Sequence, residues 1–156
     1  MPEGNNSTWI PPVNFYFSVG FQWGSRKTTA SFMEVSGLEF EMVTQTIKPL
    51  GDEGGQILAT GEIKHSNIIL KRPLEPLDKE IAKWAKECFS FMVGTNKIRP
   101  CLLIISLLGA DGKPYASWEC TQAFPVKWSL SPMNALESKL SIETLTLTCK
   151  TLERIS

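Results

Sequence analysis

The chain has 156 residues, 42% of them hydrophobic and 21% charged, which fits one globular domain spanning residues 1–156. Its 16 basic and 16 acidic residues give a formal net charge of +0, so nothing in the charge favours nucleic acid or an acidic membrane as a partner. A nearly neutral chain has little self-repulsion, which favours ordered self-association.

Neither a targeting segment nor a membrane span is expected. The start, Met1 to Thr8, lacks a basic region followed by an apolar one. The longest apolar run, Cys101 to Leu108, is far shorter than the ~20 residues of a membrane-spanning helix. We therefore expect no signal peptide and no spanning helix.

The four cysteines are scattered and none belongs to a Cys-x-x-Cys pair. Zinc sites favour tight pairs, and disulfide scaffolds are shorter and richer in cysteine. We expect reduced thiols, no metal and no cofactor. The four are Cys88, Cys101, Cys120 and Cys149.

Alternation of apolar and polar residues predicts about seven β-strands. A strong hairpin signal, Asp111-Gly112, separates two of them. In the last strand the apolar positions change parity at Glu143-Thr144, which predicts a β-bulge or a change of partner sheet. The predicted strand regions are 15–22, 31–35, 38–42, 62–71, 102–108, 115–121, 123–130 and 140–150, with those at 115–121 and 123–130 on either side of Gln122.

One amphipathic helix is predicted between the two groups of strands. Asp78 can cap its first turn, and Gly94 is a natural C-terminal stop. Its apolar face consists of Ile81, Trp84, Ala85, Cys88, Phe89 and Met92. The fold class is therefore mainly β, an antiparallel β-sandwich or barrel with one packed α-helix.

Two segments differ in composition from the rest. Residues 1–12 form a polar leader that ends at Pro11-Pro12. Residues 44–61 are rich in glycine and poor in apolar residues, and we expect an extended loop or a loosely held hairpin arm there. Loops of this length in a small domain are usually functional or disordered.

No catalytic constellation is found. His65, the only histidine, lies in a plain strand context, where a solvent-facing structural role is expected. Gly51 to Gly55 lacks the Lys-Ser/Thr ending of a phosphate-binding loop. Trp9 and Trp23, near the leader and a turn, are candidates for a subunit contact, with packing inside the monomer as the alternative.

Four segments together resemble the tail-tube (inner tube) family of T4-like contractile phage tails. The family also occurs in phage-tail-like contractile injection systems of the antifeeding prophage and Photorhabdus virulence cassette type. The first segment carries the pattern Phe-x-Glu-Val-Ser-Gly-Leu-x-x-Glu. In chain order the segments are Phe32 to Glu41, Gly61 to Arg72, Trp118 to Trp128 and Ile142 to Leu147.

The resemblance implies a structural protein and no enzyme. Tube subunits of this family form homohexameric rings that stack into a tube, with sheath, baseplate or hub proteins and a terminator cap as partners. The lumen conducts DNA or a protein effector. The resemblance also implies assembly in the bacterial cytoplasm, as part of a phage tail or of a particle that can be released.

The same resemblance places residues 44–61 where tube proteins reach toward the adjacent ring. We therefore expect an inter-ring contact there, with mobile glycines and an apolar pair that is covered on stacking. The predicted contact residues are Gly51, Asp52, Glu53, Gly54, Gly55, Ile57 and Leu58.

Three alternatives remain open at this point. A baseplate-proximal protein that initiates the tube would share the same sequence features. A monomeric β-barrel that binds an apolar ligand is compatible with the aromatic strands. A hydrolase using His65 or the acidic strand around Glu39 and Glu41 is the third.

Overall fold

Antiparallel β-strands make up most of the structure. The computed structural model describes residues 16–51, 54–74, 79–90, 98–136 and 141–156. The strands in these ranges are β1 (Tyr16–Trp23), β2 (Arg26–Phe32), β3 (Glu34–Ser36), β4 (Phe40–Ile47), β5 (Gln56–His65), β6 (Ile68–Pro73), β7 (Cys101–Leu108), β8 (Pro114–Leu130), β9 (Ile142–Thr148) and β10 (Thr151–Arg154). The helix described between β6 and β7 is α1 (Glu80–Phe89). The predicted fold class is confirmed, although the strands are more numerous than predicted.

The main sheet closes on itself. Its strand order is β2-β1-β7-β8-β9-β6-β3, and β10 pairs with β8. β2 and β3 are separated only by Met33, whose backbone N–H donates to the carbonyl of Lys71 in β6 at 2.9 Å. One stretch of chain therefore forms both ends of the sheet and closes it into a barrel, which leaves few unpaired edges.

The two halves of strand β8 pair with different strands of the barrel. Its first half pairs with β7 and β10, and its second half pairs with β9. Gln122, between the halves, has a φ of 50°, an uncommon value for a residue other than glycine. The two predicted strands on either side of Gln122 are thus one strand.

Helix α1 packs its apolar face on the barrel core. The indole Nε1 of Trp84 donates to the carbonyl of Arg99 at 2.7 Å, which satisfies its polar atom inside the core. The N-cap is Lys79, without a side-chain cap bond, and the predicted cap Asp78 lies outside the described residues. The helix ends at Ser90, before the predicted stop Gly94, which is also outside the described residues. Its buried residues are Ile81, Ala82, Trp84, Ala85 and Cys88.

The phase slip predicted at Glu143-Thr144 is absent from strand β9, because Glu143 is itself buried. The burial of β9 alternates without interruption, so the carboxylate of Glu143 lies on the same inward face as Leu145 and Leu147. The Arg72 guanidinium neutralises it through a buried ion pair, and Arg72 itself lies 5.3 Å from the Phe32 ring centroid. The prediction was wrong because a buried, paired carboxylate has the sequence appearance of a solvent-facing one.

Candidate assembly surface

Strands β4 and β5 form a hairpin arm, defined here as residues 40–65. They pair with each other and with no other described strand. The extended-loop interpretation of residues 44–61 is therefore wrong, and the hairpin alternative is correct. Cross-strand pairing satisfies backbone groups of the two strands, although almost all of their side chains are exposed.

The arm exposes large apolar side chains. Met42 and Ile63 are direct cross-strand partners, so their side chains lie on the same face of the hairpin. Ile57 is 74% exposed and Leu58 is 46% exposed. The exposed apolar residues of the arm are Phe40, Met42, Ile47, Leu50, Ile57, Leu58 and Ile63.

The predicted inter-ring residues lie in two parts of the arm. Gly51 and Gly54 are exposed near its tip, and Gly55 is half-buried just before β5. Ile57 and Leu58 lie at the start of β5, where their side chains reach solvent. The remaining two predicted residues, Asp52 and Glu53, lie outside the described residues.

The arm leaves the barrel through a narrow neck at Gly37 and Asn67. Gly37 has a φ of 86°, and a Cβ atom there would lie 1.9 Å from the carbonyl oxygen of Asn67. Only glycine fits this backbone conformation and this close approach. The glycine of the Val-Ser-Gly-Leu motif therefore has a physical reason, since the chain entering the arm touches the chain leaving it at this residue.

His65 occupies the base of the arm and is more constrained than the sequence suggested. It is half-buried, and its Nε2 lies 3.1 Å from the carbonyl oxygen of Lys150. Its Nδ1 lies 3.3 Å from the carbonyl oxygen of Ser66 and 3.9 Å from the Cys149 Sγ atom. Burial has the largest single effect and lowers the pKa of His65. The carbonyls of Lys150 and Ser66 and the nearby Cys149 raise it, and together they raise the pKa overall.

Trp23 packs within the monomer. Its ring lies 6.0 Å from that of Phe21 and 5.3 Å from that of Trp84, between ring centroids. Its Nε1 atom is buried and has no hydrogen-bond partner among the described residues. The other candidate for a subunit contact, Trp9, lies outside the described residues.

The surface groove beside Trp23 has a volume of about 160 Å³. Two ion pairs border it, Arg26 with Glu80 and Arg99 with Glu87. In the described part of the chain, no three His, Cys, Asp or Glu side chains converge as a metal site. No described helix has the length and apolar character needed to cross a membrane.

The described residues thus form a β-barrel with a filled core and a projecting hairpin that exposes apolar side chains. Residues 13–153 match the family model described as T4-like virus tail tube protein gp19, and the chain belongs to this family. It is a structural tube subunit. The family predicted from the four sequence segments is confirmed.

Several solved structures have a similar fold. A chain of the anti-feeding prophage baseplate shares 19% identity at a TM-score of 0.77, over 95% of this chain and 97% of that one. A chain of the sheath–tube complex of the PVC extracellular contractile injection system shares 22% identity at a TM-score of 0.69, over 97% and 94%. Hcp1 from Flavobacterium johnsoniae shares 11% identity at a TM-score of 0.54, over 88% and 94%. A search of curated protein sequences gave no match.

Proposed function

We propose that the chain forms homohexameric rings that stack into the inner tube of a contractile phage tail or a phage-tail-like injection particle. The lumen of this tube conducts DNA or a protein effector. The subunit has no catalytic role in this proposal. Its membership of the tail tube family supports the assignment.

The observation that carries the proposal is the exposed apolar arm, whose two strands pair with no other described strand. A two-stranded hairpin is marginally stable in water on its own. Exposed apolar patches of this kind mark protein–protein contacts. Ile57, Leu58 and Ile63 therefore need a partner surface, and a second copy of this chain supplies it when rings stack.

The similarity to these solved structures also suggests partner proteins for this chain. Similar chains occur in a baseplate, in a sheath–tube complex and in a tube-terminating cap. We propose that this chain contacts a sheath protein, baseplate or hub proteins and a terminator cap. Assembly takes place in the bacterial cytoplasm, and the finished particle can leave the cell.

A baseplate-proximal tube-initiating protein is the second candidate. The baseplate chain has the higher TM-score, 0.77 against 0.69, whereas the sheath–tube chain has the higher identity, 22% against 19%, so the likeness supports this candidate as well as the first. The two candidates differ in a measurable property. A repeating subunit elongates into tubes of many rings, whereas an initiating subunit stops after a ring.

The monomeric ligand-binding barrel receives less support. Side chains from facing strands fill the interior, so the described barrel is packed rather than hollow. Fully buried residues that fill it include Val19, Phe21, Ile68, Leu70, Leu103, Ile105 and Leu147.

Negative-stain electron microscopy of the purified chain tests the proposal. The unmodified chain is expected to form rings and tubes at high concentration. Ile57→Asp combined with Leu58→Asp is expected to leave single rings and abolish tubes. Consecutive strand residues point to opposite faces, so the double variant places a charge on each face of the arm. Leu136→Asp is the matched control, because Leu136 is an exposed apolar residue outside the arm.

Two results would contradict the proposal. Light scattering that shows a monomer at every concentration would rule out ring formation. Normal tubes from the double arm variant would show that stacking uses another surface. Circular dichroism checks that each variant retains the barrel.

A further inference from the structure

His65 lies where the arm joins the barrel. It is the last residue of β5 and the cross-strand partner of Phe40, the first residue of β4. Beside this pair, the Ser66 hydroxyl donates to the Glu39 Oε1 atom at 2.7 Å, which ties the chain leaving the arm to the chain entering it. Since β4 and β5 pair with no other described strand, contacts at this base determine how firmly the arm is held.

The His65 ring reaches a fixed point on the barrel. Its Nε2 atom lies 3.1 Å from the carbonyl oxygen of Lys150, between β9 and β10. The N–H of Lys150 donates to the carbonyl of Thr121 in β8 at 2.9 Å, and β10 pairs with β8 immediately afterwards. The carbonyl that faces His65 therefore belongs to a hydrogen-bonded part of the barrel.

Both ring nitrogens face acceptors. The Nδ1 atom lies 3.3 Å from the carbonyl oxygen of Ser66, and a carbonyl only accepts hydrogen bonds. The imidazolium form donates to both carbonyls at once, whereas a neutral ring has one N–H and turns a nitrogen lone pair toward the other carbonyl. Protonation of His65 therefore completes the link between the arm and the barrel.

Charged and titratable groups of both signs surround the ring. The Cys149 Sγ atom lies 3.9 Å from Nδ1, and a thiolate there favours the charged ring. Although burial lowers the pKa of His65, the carbonyls and Cys149 together raise it above its ordinary value. An open depression of about 240 Å³ beside the ring is lined by Glu39, Phe40, Glu41, Lys64 and Ser66. Its two carboxylates favour the imidazolium, and the lysine opposes it.

We propose that His65 is a pH-dependent clamp, whose protonated ring fixes the base of the arm to the turn at Lys150 and whose neutral ring releases one of its two hydrogen bonds. The clamp is fully closed below pH 6.5 and opens as pH rises through the raised pKa of the folded protein. If rings stack through the arm, a closed clamp presents the arm in one direction and speeds stacking in mild acid. That consequence rests on the proposed function, whereas the clamp itself does not.

Hydrogen–deuterium exchange of the full-length, purified chain tests the clamp. The chain is kept at a concentration where light scattering detects no tubes, and the rates are corrected for the intrinsic effect of pH on amide exchange. Between about pH 5.5 and about pH 8.5, we expect opening of the amides at residues 60–66 to increase roughly tenfold, as a hydrogen bond to a charged group is lost. Residues 101–108 of β7 are the internal reference and are expected to keep the same protection.

The protonation of the ring can be followed separately. His65 is the only histidine of the chain, so its imidazole C–H signals in a proton NMR titration report one ring. The midpoint of this titration is expected to coincide with the midpoint of the change in amide opening.

Three variants identify the group responsible. His65→Gln is neutral at every pH and is expected to abolish the pH dependence of opening. Lys64→Gln, the matched control next to it in β5, is expected to retain the pH dependence. Cys149→Ser is also expected to retain it, with a lower midpoint, because the thiol that favours the charged ring is gone.

Four results would overturn the clamp: equal opening at both pH values, a midpoint that differs from that of the ring, a pH dependence that survives in His65→Gln, or one that disappears in Cys149→Ser. The first two are measured on the unmodified chain, so they remain decisive even if a variant does not fold. Tube growth at the same two pH values is scored separately. A working clamp without any effect on tube growth would count against stacking through the arm and leave the clamp standing.

Discussion

Arg72 and Glu143 form an ion pair inside the barrel, with the Arg72 Nε atom 2.9 Å from the Glu143 Oε2 atom. Their side chains are only 4% and 5% exposed. The indole Nε1 of Trp128 donates to the other carboxylate oxygen, so both oxygens of Glu143 have partners. A buried charge is tolerated in a core when it is neutralised and hydrogen-bonded in this way.

Removing one partner of this ion pair is expected to be costly. Arg72→Met leaves the Glu143 carboxylate buried without its counter-charge, and we expect a loss of about 3–5 kcal/mol in the free energy of unfolding. Arg72→Met with Glu143→Leu is expected to recover much of the loss, because no unpaired charge remains. Urea unfolding measures both variants. Glu80→Gln, which breaks the exposed Arg26–Glu80 pair, is the control and is expected to change stability by less than ~1 kcal/mol.

Gly37→Ala tests the neck of the arm. A Cβ atom at this position meets the Asn67 carbonyl oxygen at 1.9 Å on a backbone with a φ of 86°, and we expect a loss of more than ~2 kcal/mol. Gly24→Ala is the matched control, because Gly24 has a φ of 58° and no atom within 4 Å of the new Cβ. It is expected to cost about 1 kcal/mol from backbone strain alone. Equal losses in thermal unfolding would show that the close contact relaxes freely.

The pH dependence of stability is expected to carry a His65 component. The pKa of His65 in the folded protein is raised above its ordinary value of 6.5. The stabilising contribution of the protonated His65 ring is therefore complete below pH 6.5, and it is lost as pH rises through the folded pKa. The difference in unfolding free energy between Cys149→Ser and the double variant Cys149→Ser/His65→Gln should therefore decrease with rising pH. The Cys149→Ser background is needed because the lowered Cys149 pKa acts with the opposite sign, its contribution being lost as pH falls through about 7. A difference that stays constant with pH would contradict the assigned hydrogen bonds.

Two tryptophans in contact are expected to respond differently to replacement by phenylalanine. Trp84→Phe removes the donor to the Arg99 carbonyl, whereas the buried Nε1 of Trp23 has no described partner to lose. We expect Trp84→Phe to destabilise the fold by about 1–3 kcal/mol more than Trp23→Phe. Chemical denaturation monitored by circular dichroism gives both values. A larger loss for Trp23→Phe would mean that ring packing outweighs the hydrogen bond.

Local sequence patterns predicted the fold class well. The alternation in Tyr16–Trp23, the continuous apolar run in Cys101–Leu108 and the helical spacing in Glu80–Phe89 all reflect burial, which a sequence pattern reports directly. Glu143 was misassigned because its counter-charge is Arg72, distant in sequence. No local pattern reveals such a pairing.

The candidate surface was only partly predictable. Glycines and a low apolar content marked residues 44–61, and Ile57 and Leu58 were picked out within them. The strand pairing of the arm was not evident, since β4 and β5 are exposed along their length and lack the one-sided burial that normally identifies a strand. The contact between His65 and Cys149 depends on the barrel topology, which the sequence alone did not define.

The pairing of β6 with β9 has a consequence during protein synthesis. Leu70 in β6 is opposite Leu145 in β9, so the barrel cannot close until the ribosome has made nearly the whole chain. The arm pairs β4 with β5 locally and can form much earlier. A nascent chain can therefore expose the apolar side chains of the arm before its barrel has closed, on polysomes where many copies are close together. Premature association through the exposed apolar side chains is a hazard at that stage, and the marginal stability of a lone hairpin limits it, because the arm of a nascent chain is paired only part of the time.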